Sequence, residues 1–481
     1  MKFLSPVLHV TGLLIAGLGI AMLLPALFDA VRGNPDWQIF VVSAIFTWTF
    51  GSLMALATRG GGAMRLSVRH AFLTTAVVWI SLSAFSALPF LGLGLDYDDS
   101  LFEAVSGFTT TGSTVIVGLD TLPPGILLWR ALLQWIGGIG IVVMAIIILP
   151  FLRVGGMQLF HAESSDRSEK IVARPLHLVG FIGSIYVGLT VACAVCYMFA
   201  GMTPFDAMCH AMSTVSTGGF ANYDSSFGHY QSARVDWFAI VFMMAGALPF
   251  VAYIKAIKGA PAGLWHDSQI RTFVTFVVVV GLLLGVWLSR TTGLGVGESV
   301  RLAMFNVVSI VTTTGFVDGD YTLWGTLAVG LFFLLTFVGG CSGSTAGGIK
   351  IYRFEVLSII VRSHIRRLVI PNRVVTMRYG GRRLPPDVPS SVLAFLAVYI
   401  GTTGLFTLLL AATGLDFVTA LSSAAQAIGN VGPGLGPVVG PSGNYASVPD
   451  PAKWVLSAAM LLGRLELFTL IVLLDPDFWR G

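Results

Sequence analysis

Runs of about twenty apolar residues, separated by short polar breaks, carry this chain from end to end. A helix of that length crosses a hydrocarbon layer of ~30 Å. The pattern predicts about ten spans: Val7–Phe28 and Trp37–Ala57, then 70–92 with 128–150, 176–200 with 236–256, 272–290 with 323–338, and 390–412 with 453–474. Between the members of each of the last four pairs lies a semi-polar segment that opens on a short apolar stretch and closes on a glycine turn. The turns read F-T-T-T-G-S-T-V at Phe108–Val115, S-T-V-S-T-G-G-F at Ser213–Phe220, V-T-T-T-G-F at Val311–Phe316 and, degraded, A-I-G-N-V-G-P-G-L-G at Ala427–Gly436. Their glycines, Gly112, Gly218, Gly315 and Gly432, stand 106, 97 and 117 residues apart, the mark of an internal repeat. Each apolar lead-in is too short to span. Non-helical backbone at membrane depth is tolerated only where protein or a watery cavity surrounds it, so each repeat reads as span, re-entrant helix, loop, span.

Composition agrees. The chain is 55% hydrophobic and 11% charged, with a mean hydropathy of +0.84, against roughly 25% charged residues in a soluble domain. Val7–Phe28 is too long for the core of a signal peptide and shows no small-x-small cleavage site, so it reads as a retained helix. Cys193, Cys196, Cys209 and Cys341 fall in apolar or pore-like segments and read as packing residues; Cys193-x-x-Cys196 has redox spacing but no second ligand pair. With the amino terminus inside, twenty-one Lys and Arg fall on the cytoplasmic side and five on the other. That asymmetry places both termini in the cytoplasm and all four turns outside. The basic segment Lys350–Arg383 reads equally as a docking surface for a cytosolic partner or anionic lipid and as plain compliance with that rule.

A cation leaving water needs its hydration shell replaced by oxygens, and a ring of backbone carbonyls supplies them without titratable charge. Glycine permits the backbone angles such a turn needs, threonine stiffens the strand and adds a hydroxyl, and a short helix ending before the turn presents its negative end. One T-T-T-G string would suit ordinary helix packing; four at a common period, all on one face, favour a pore. The expected fold is therefore an all-α polytopic membrane protein. It has an N-terminal two-helix hairpin (1–66) and four repeats at 67–160, 161–262, 263–375 and 376–481, arranged pseudo-fourfold around one pore.

The four turns resemble the filter loops of the Trk/Ktr/HKT superfamily of cation transporters. Further stretches resemble the bacterial Trk-type membrane subunit: Gln134–Pro150 (Q-W-I-G-G-I-G-I-V-V-M-A-I-I-I-L-P), Gly155–Glu163 (G-G-M-Q-L-F-H-A-E), Gly339–Lys350 (G-G-C-S-G-S-T-A-G-G-I-K) and Leu461–Leu470 (L-L-G-R-L-E-L-F-T-L). The resemblance runs from about residue 70 to the carboxyl end, and the two earlier spans resemble that subfamily's extra hairpin. It implies K⁺ (and Rb⁺) as the transported ion, in a single-file filter lined by Thr110, Thr111, Gly112; Ser216, Thr217, Gly218; Thr313, Thr314, Gly315; and Asn430, Val431, Gly432. Plant members with serine at the first filter glycine carry sodium; Gly112 here favours potassium. It also implies location in a bacterial inner membrane, a homodimer with one pore per protomer, and control by a cytosolic nucleotide-binding, TrkA-like subunit. Neither a covalently bound cofactor nor a nucleic-acid partner is expected.

The glycine- and hydroxyl-rich stretch 337–349 cannot be a plain lipid-facing helix. By the resemblance it is an intramembrane gate loop, carried by Gly339, Gly340, Gly343, Ser344, Thr345, Gly347 and Gly348. Arg464, placed midway along the last span, is expected to face the pore beneath the filter and touch that loop, since an intramembrane charge is expensive and usually functional. Glu466 is expected to point elsewhere and pair with another group or none. His210 reads as a packed residue without an evident partner. Two other classes compete with this reading. A Na⁺- or H⁺-coupled secondary transporter would suit broken helices but lacks an ionisable midplane residue apart from Arg464, and an enzyme lacks a nucleophile–base pair.

Overall fold

The structure, a computed structural model, describes residues 3–59, 67–147, 175–259, 262–372 and 374–480. The motif Gly155–Glu163, the end of the 128–150 span, and Lys2, Arg65, Arg153, Arg167, Lys170, Arg174 and Arg373 of the charge count lie outside the described residues. Helices dominate; the single sheet among the described residues is a two-stranded antiparallel ribbon pairing Arg378–Tyr379 with Arg382–Arg383.

The amino-terminal hairpin pairs Ser5–Val31 with Trp37–Ala57. Its seam is made of small residues: a Cβ on Gly12 would lie 2.7 Å from the backbone nitrogen of Ala55, and one on Gly19 the same distance from that of Trp48. Helices in lipid gain little from burying apolar surface against each other, so close backbone approach supplies the packing. Asp29 ties the hairpin to the rest, accepting from the Gly125 N–H at 2.8 Å.

Each repeat opens on one long helix: Val68–Leu91, Leu178–Phe199, Ser268–Thr292 and Asp387–Ala412. A short helix follows: Tyr97–Phe108, Pro204–Val215, Val296–Val311 and Phe417–Gly429. All four short helices carry acid at the start, as Asp98 and Asp99, Asp206, Glu298 and the capping Asp416, and none carries a base in its last turn. The acids satisfy the amino end of each dipole and leave the carbonyl end uncompensated.

The closing helices depart from the expected plain spans. Only the first, Pro124–Ile147, runs unbroken through its described length. The second bends by 93° between Ala233–Gly246 and Phe250–Ile257, and the fourth by 103° between Asp450–Arg464 and Phe468–Leu474. The third ends after ten residues, Thr326–Leu335, and gives way to a loop before the helix Ile351–Val369. Pro249 accounts for the second bend, because proline disfavours helical torsions at the residue before it and has no N–H to continue the helix. At the fourth, Glu466 and Leu467 turn to positive φ, +61° and +52°. Seven helices of the described residues are thus long and apolar enough to span, or nine with the bent pairs, where ten were expected. The difference is the interrupted third repeat.

Candidate functional site

The four short helices end on four turns with a common backbone path. Thr110, Thr217, Thr313 and Asn430 all have φ between +53° and +56°, and each donates its N–H three residues back, at 3.0–3.3 Å. The next residues, Thr111, Gly218, Thr314 and Val431, each donate five residues back, to Ser106, Ser213, Ser309 and Gln426, at 2.8–3.0 Å. The third residues are Gly112, Gly219, Gly315 and Gly432, at φ +84° to +104°.

This equivalence corrects the expected register of the second turn. Its triad is Thr217-Gly218-Gly219, and Ser216 instead caps the short helix with helical φ of −75°, as Thr109 and Thr312 do in theirs. Two glycines stand in succession there, and the one at positive φ is the second.

The turns close into a ring. A Cβ on Gly112 would strike the carbonyl oxygen of Gly218, one on Gly219 that of Thr314, one on Gly315 that of Val431, and one on Gly432 would sit 2.7 Å from that of Thr111. Each glycine therefore lies against the middle carbonyl of the next turn, in the cyclic order first, second, third, fourth. A cavity lined by residues of all four turns, among them Gly112, Gly219, Gly315 and Gly432, opens at one face. The twelve residues of the triads include no titratable group, and all are buried or nearly so.

Behind the ring, a repeated brace holds the ascending strand. The third residue after each turn glycine donates its N–H to its own repeat's short helix: Val115 to Glu103 (3.0 Å), Asn222 to His210 (3.4 Å), Asp318 to Asn306 (3.4 Å) and Leu435 to Ser422 (3.0 Å). Glu103, His210 and Asn306 each stand nine residues before their turn glycine. That fixed offset of a polar residue was a signal available in the sequence. His210, expected to lack a partner, bonds to the Asp206 carbonyl at 2.8 Å as well and is enclosed by Tyr223, Phe227, Tyr230 and Phe316. Glu103 is neutralised by Arg130 at 2.8 Å, whose guanidinium also donates to Ala221 of the second turn. In the third repeat, Arg301 pairs with Asp236 of the second and with Asp318 at 2.9 Å. Burial holds the Asp318 carboxyl above the usual range, partly offset by the Arg301 charge.

The opposite face of the ring is covered by the glycine-rich loop. It folds on itself, Gly339 N–H to Ile349 at 2.9 Å and Ile349 N–H to Phe337 at 3.1 Å, and reaches the second, third and fourth repeats. Cys341 donates to Ala247 and Gly343 accepts from Phe250, at 3.0 Å each, on either side of the bend in the second repeat. The Thr345 hydroxyl is 3.2 Å from that of Thr217, and Gly347 donates to the Thr313 hydroxyl at 2.6 Å. A Cβ on Gly340 would meet Ala346 at 2.8 Å, and one on Gly347 would run into Gly429 at the end of the fourth short helix. Ser344 bonds inside the loop, to the Cys341 carbonyl at 2.6 Å, and Gly348 turns at φ +64°.

Arg464 touches this loop: it is 3% exposed and donates to the Thr345 carbonyl at 2.9 Å, with a longer 3.5 Å contact to Gly137 of the first repeat. It is the last residue of Asp450–Arg464, at the break within the bent pair that closes the fourth repeat. Glu466 pairs with Arg353 at 2.5 Å, and the Arg353 guanidinium stacks 3.5 Å over Phe395. Arg353 and Lys350 belong to the basic segment Lys350–Arg383 in sequence, but both are buried, Lys350 donating to the Ala346 carbonyl. Arg362, Arg366, Arg367, Arg378, Arg382 and Arg383 remain exposed.

Comparison with known proteins follows the whole chain. The TrkH family model, described as cation transport protein, matches residues 37–479. A Trk system potassium uptake protein TrkI from Halomonas elongata is 44% identical over 480 residues, covering 99% of this chain and 97% of that one. A Trk system potassium uptake protein TrkH from Escherichia coli is 36% identical, covering 98% of each. The crystal structure of the potassium transporter TrkH from Vibrio parahaemolyticus superposes with a TM-score of 0.91 at 36% identity, over 100% of both chains. Family model, relatives and fold agree over nearly the full length, and the chain belongs to the TrkH family of cation transport proteins.

Proposed function

We propose that this chain is the ion-conducting subunit of a potassium uptake system in a bacterial inner membrane, with both termini in the cytoplasm. The observation that carries the reading is the closed ring of four turns. Its middle carbonyls come from a path shared by all repeats, its residues carry no titratable charge, and four uncompensated helix ends point toward it. Such a site replaces a hydration shell with neutral oxygens. A buried hydroxyl that no described residue satisfies, that of Thr110, is the kind of group a desolvated cation would engage. The lining triads are Thr110–Gly112, Thr217–Gly219, Thr313–Gly315 and Asn430–Gly432.

The loop from Gly339 to Gly348 is the gate. It occupies the ring's inner face, and Arg464 both tethers it and sets a positive charge across the ion's exit. A cytosolic nucleotide-binding subunit of the TrkA kind would act through the exposed arginines of Ile351–Val369 and the following ribbon, because that helix continues directly from the gate loop. The working unit is a homodimer with one pore per protomer.

Rb⁺ flux into proteoliposomes under Na⁺ competition tests the transport reading. Saturable entry down the Rb⁺ gradient with no second-ion requirement is expected. Strict dependence on a Na⁺ or H⁺ gradient would instead make this a coupled transporter, a class that also uses broken helices. Arg464→Ala should raise passive Rb⁺ entry and weaken its control; unchanged flux and unchanged control would remove Arg464 from the gate.

A further inference from the structure

Gln134 lies one helical turn beyond Arg130 on the first repeat's closing helix and is fully buried, yet both ends of its amide serve the second repeat. Its Nε2 donates to the Gly218 carbonyl at 2.6 Å, and its Oε1 accepts from the Phe220 N–H at 3.0 Å. A carbonyl and an N–H leave one consistent orientation for the amide. One side chain thus brackets Gly219, the residue at φ +84°.

The second turn needs this bracket because its middle residue, Gly218, has no side chain. The other three turns carry Thr111, Thr314 and Val431 at the middle position; the Thr111 and Thr314 hydroxyls lie 2.7 and 2.8 Å from those of Thr109 and Thr312. At Gly218 a Cβ would run into the Gln134 amide and come within 2.9 Å of the Gln134 Cβ. Gln134 therefore fills, from a neighbouring repeat, the space that the turns' own side chains fill elsewhere. It also singles out one oxygen: among the described residues, no side chain donates to the carbonyls of Thr111, Thr314 or Val431, the equivalents of Gly218. A carbonyl that shares its lone pairs with an amide is fixed in direction and offers less to an ion than one that is free.

We propose that Gln134 is a positioning residue for monovalent-cation selectivity, setting the direction and strength of the Gly218 carbonyl in the ring. The inference rests on the filter reading above. Gly112, against which that same carbonyl packs, supplies the control that separates the two.

The experiment measures the K⁺/Na⁺ permeability ratio of the full-length protein in proteoliposomes. The variants are Gln134→Met, which keeps the bulk and removes both bonds, Gln134→Ala, the double variant Gln134→Ala with Gly218→Thr, and Gly112→Ser. Gln134→Met should lower the ratio about fivefold or more, the factor that one net hydrogen bond represents. Gln134→Ala should lower it further. The double variant rebuilds the arrangement of the first and third turns and should return the ratio to within about twofold of the parent. Folded Gln134→Met protein with an unchanged ratio would overturn the proposal. If the single variants do not fold, recovery in the double variant supports the bracket and an inert double variant overturns it. Should Gly112→Ser shift the ratio while every Gln134 variant keeps the parent value, the filter stands and the bracket falls; should Gly112→Ser also leave it unchanged, the filter reading fails first.

Discussion

The turn glycines owe their place to two separate demands. Gly219 sits at φ +84°, where any Cβ is strained, and its missing Cβ leaves room for the Thr314 carbonyl. Gly219→Ala should therefore cost about 1–3 kcal/mol of local strain and collision, lowering the thermal unfolding midpoint and sharply reducing Rb⁺ flux. Ser216→Ala removes one hydroxyl bond to the Ser213 carbonyl, 3.1 Å long, and should cost about 1 kcal/mol or less with flux largely kept. The opposite ranking would return the second turn to the register its letters suggest. Three turns are legible in sequence because a single glycine follows their threonines or valine. In the second, T-G-G offers two, and the choice between them belongs to backbone torsions that no residue type declares. The braces from Glu103, His210 and Asn306 were harder to see for another reason. They share an offset and a function but no chemistry, and pattern recognition rewards likeness of side chain.

At the scale of elements, the closing helices show what hydropathy does and does not encode. Pro249 and the glycines from 339 to 348 announce two interruptions. The break at 465–467 has no proline and lies in an apolar run, so the pattern carries straight through it. What stabilises it is tertiary: Glu466, at φ +61°, reaches Arg353 on the helix that leaves the glycine-rich loop. Removing one partner of a buried ion pair strands the other, at a cost of about 3–5 kcal/mol. Glu466→Gln should accordingly lower the unfolding midpoint in detergent well beyond Ser216→Ala, whereas Glu466→Met with Arg353→Met should recover a substantial part of the loss. A double variant no more stable than Glu466→Gln would show that the pair does not hold the bend. The short helices, by contrast, were readable at their closing ends, where each runs into a glycine turn.

For the molecule as a whole, the order of the four turns in sequence is their order around the ring. That arrangement was legible because the period of roughly a hundred residues survives even where the fourth turn has lost its threonines. What the period could not convey is how far the repeats interlock. Arg130 and Gln134 of the first serve the turn of the second, and the glycine-rich loop of the third bonds to the bend of the second and accepts from Arg464 of the fourth. No repeat completes its own site.

The closed cyclic order also has a bearing on inheritance of defects between subunits. Since one polypeptide supplies all four quarters of the aperture, an impaired copy has no quarter to donate to a sound one. When sound chains and chains carrying Gly219→Ala are reconstituted together in varying proportion, Rb⁺ entry should decline as a straight line in the impaired fraction. A steeper, squared decline would mean that the two copies of a dimer conduct only in concert.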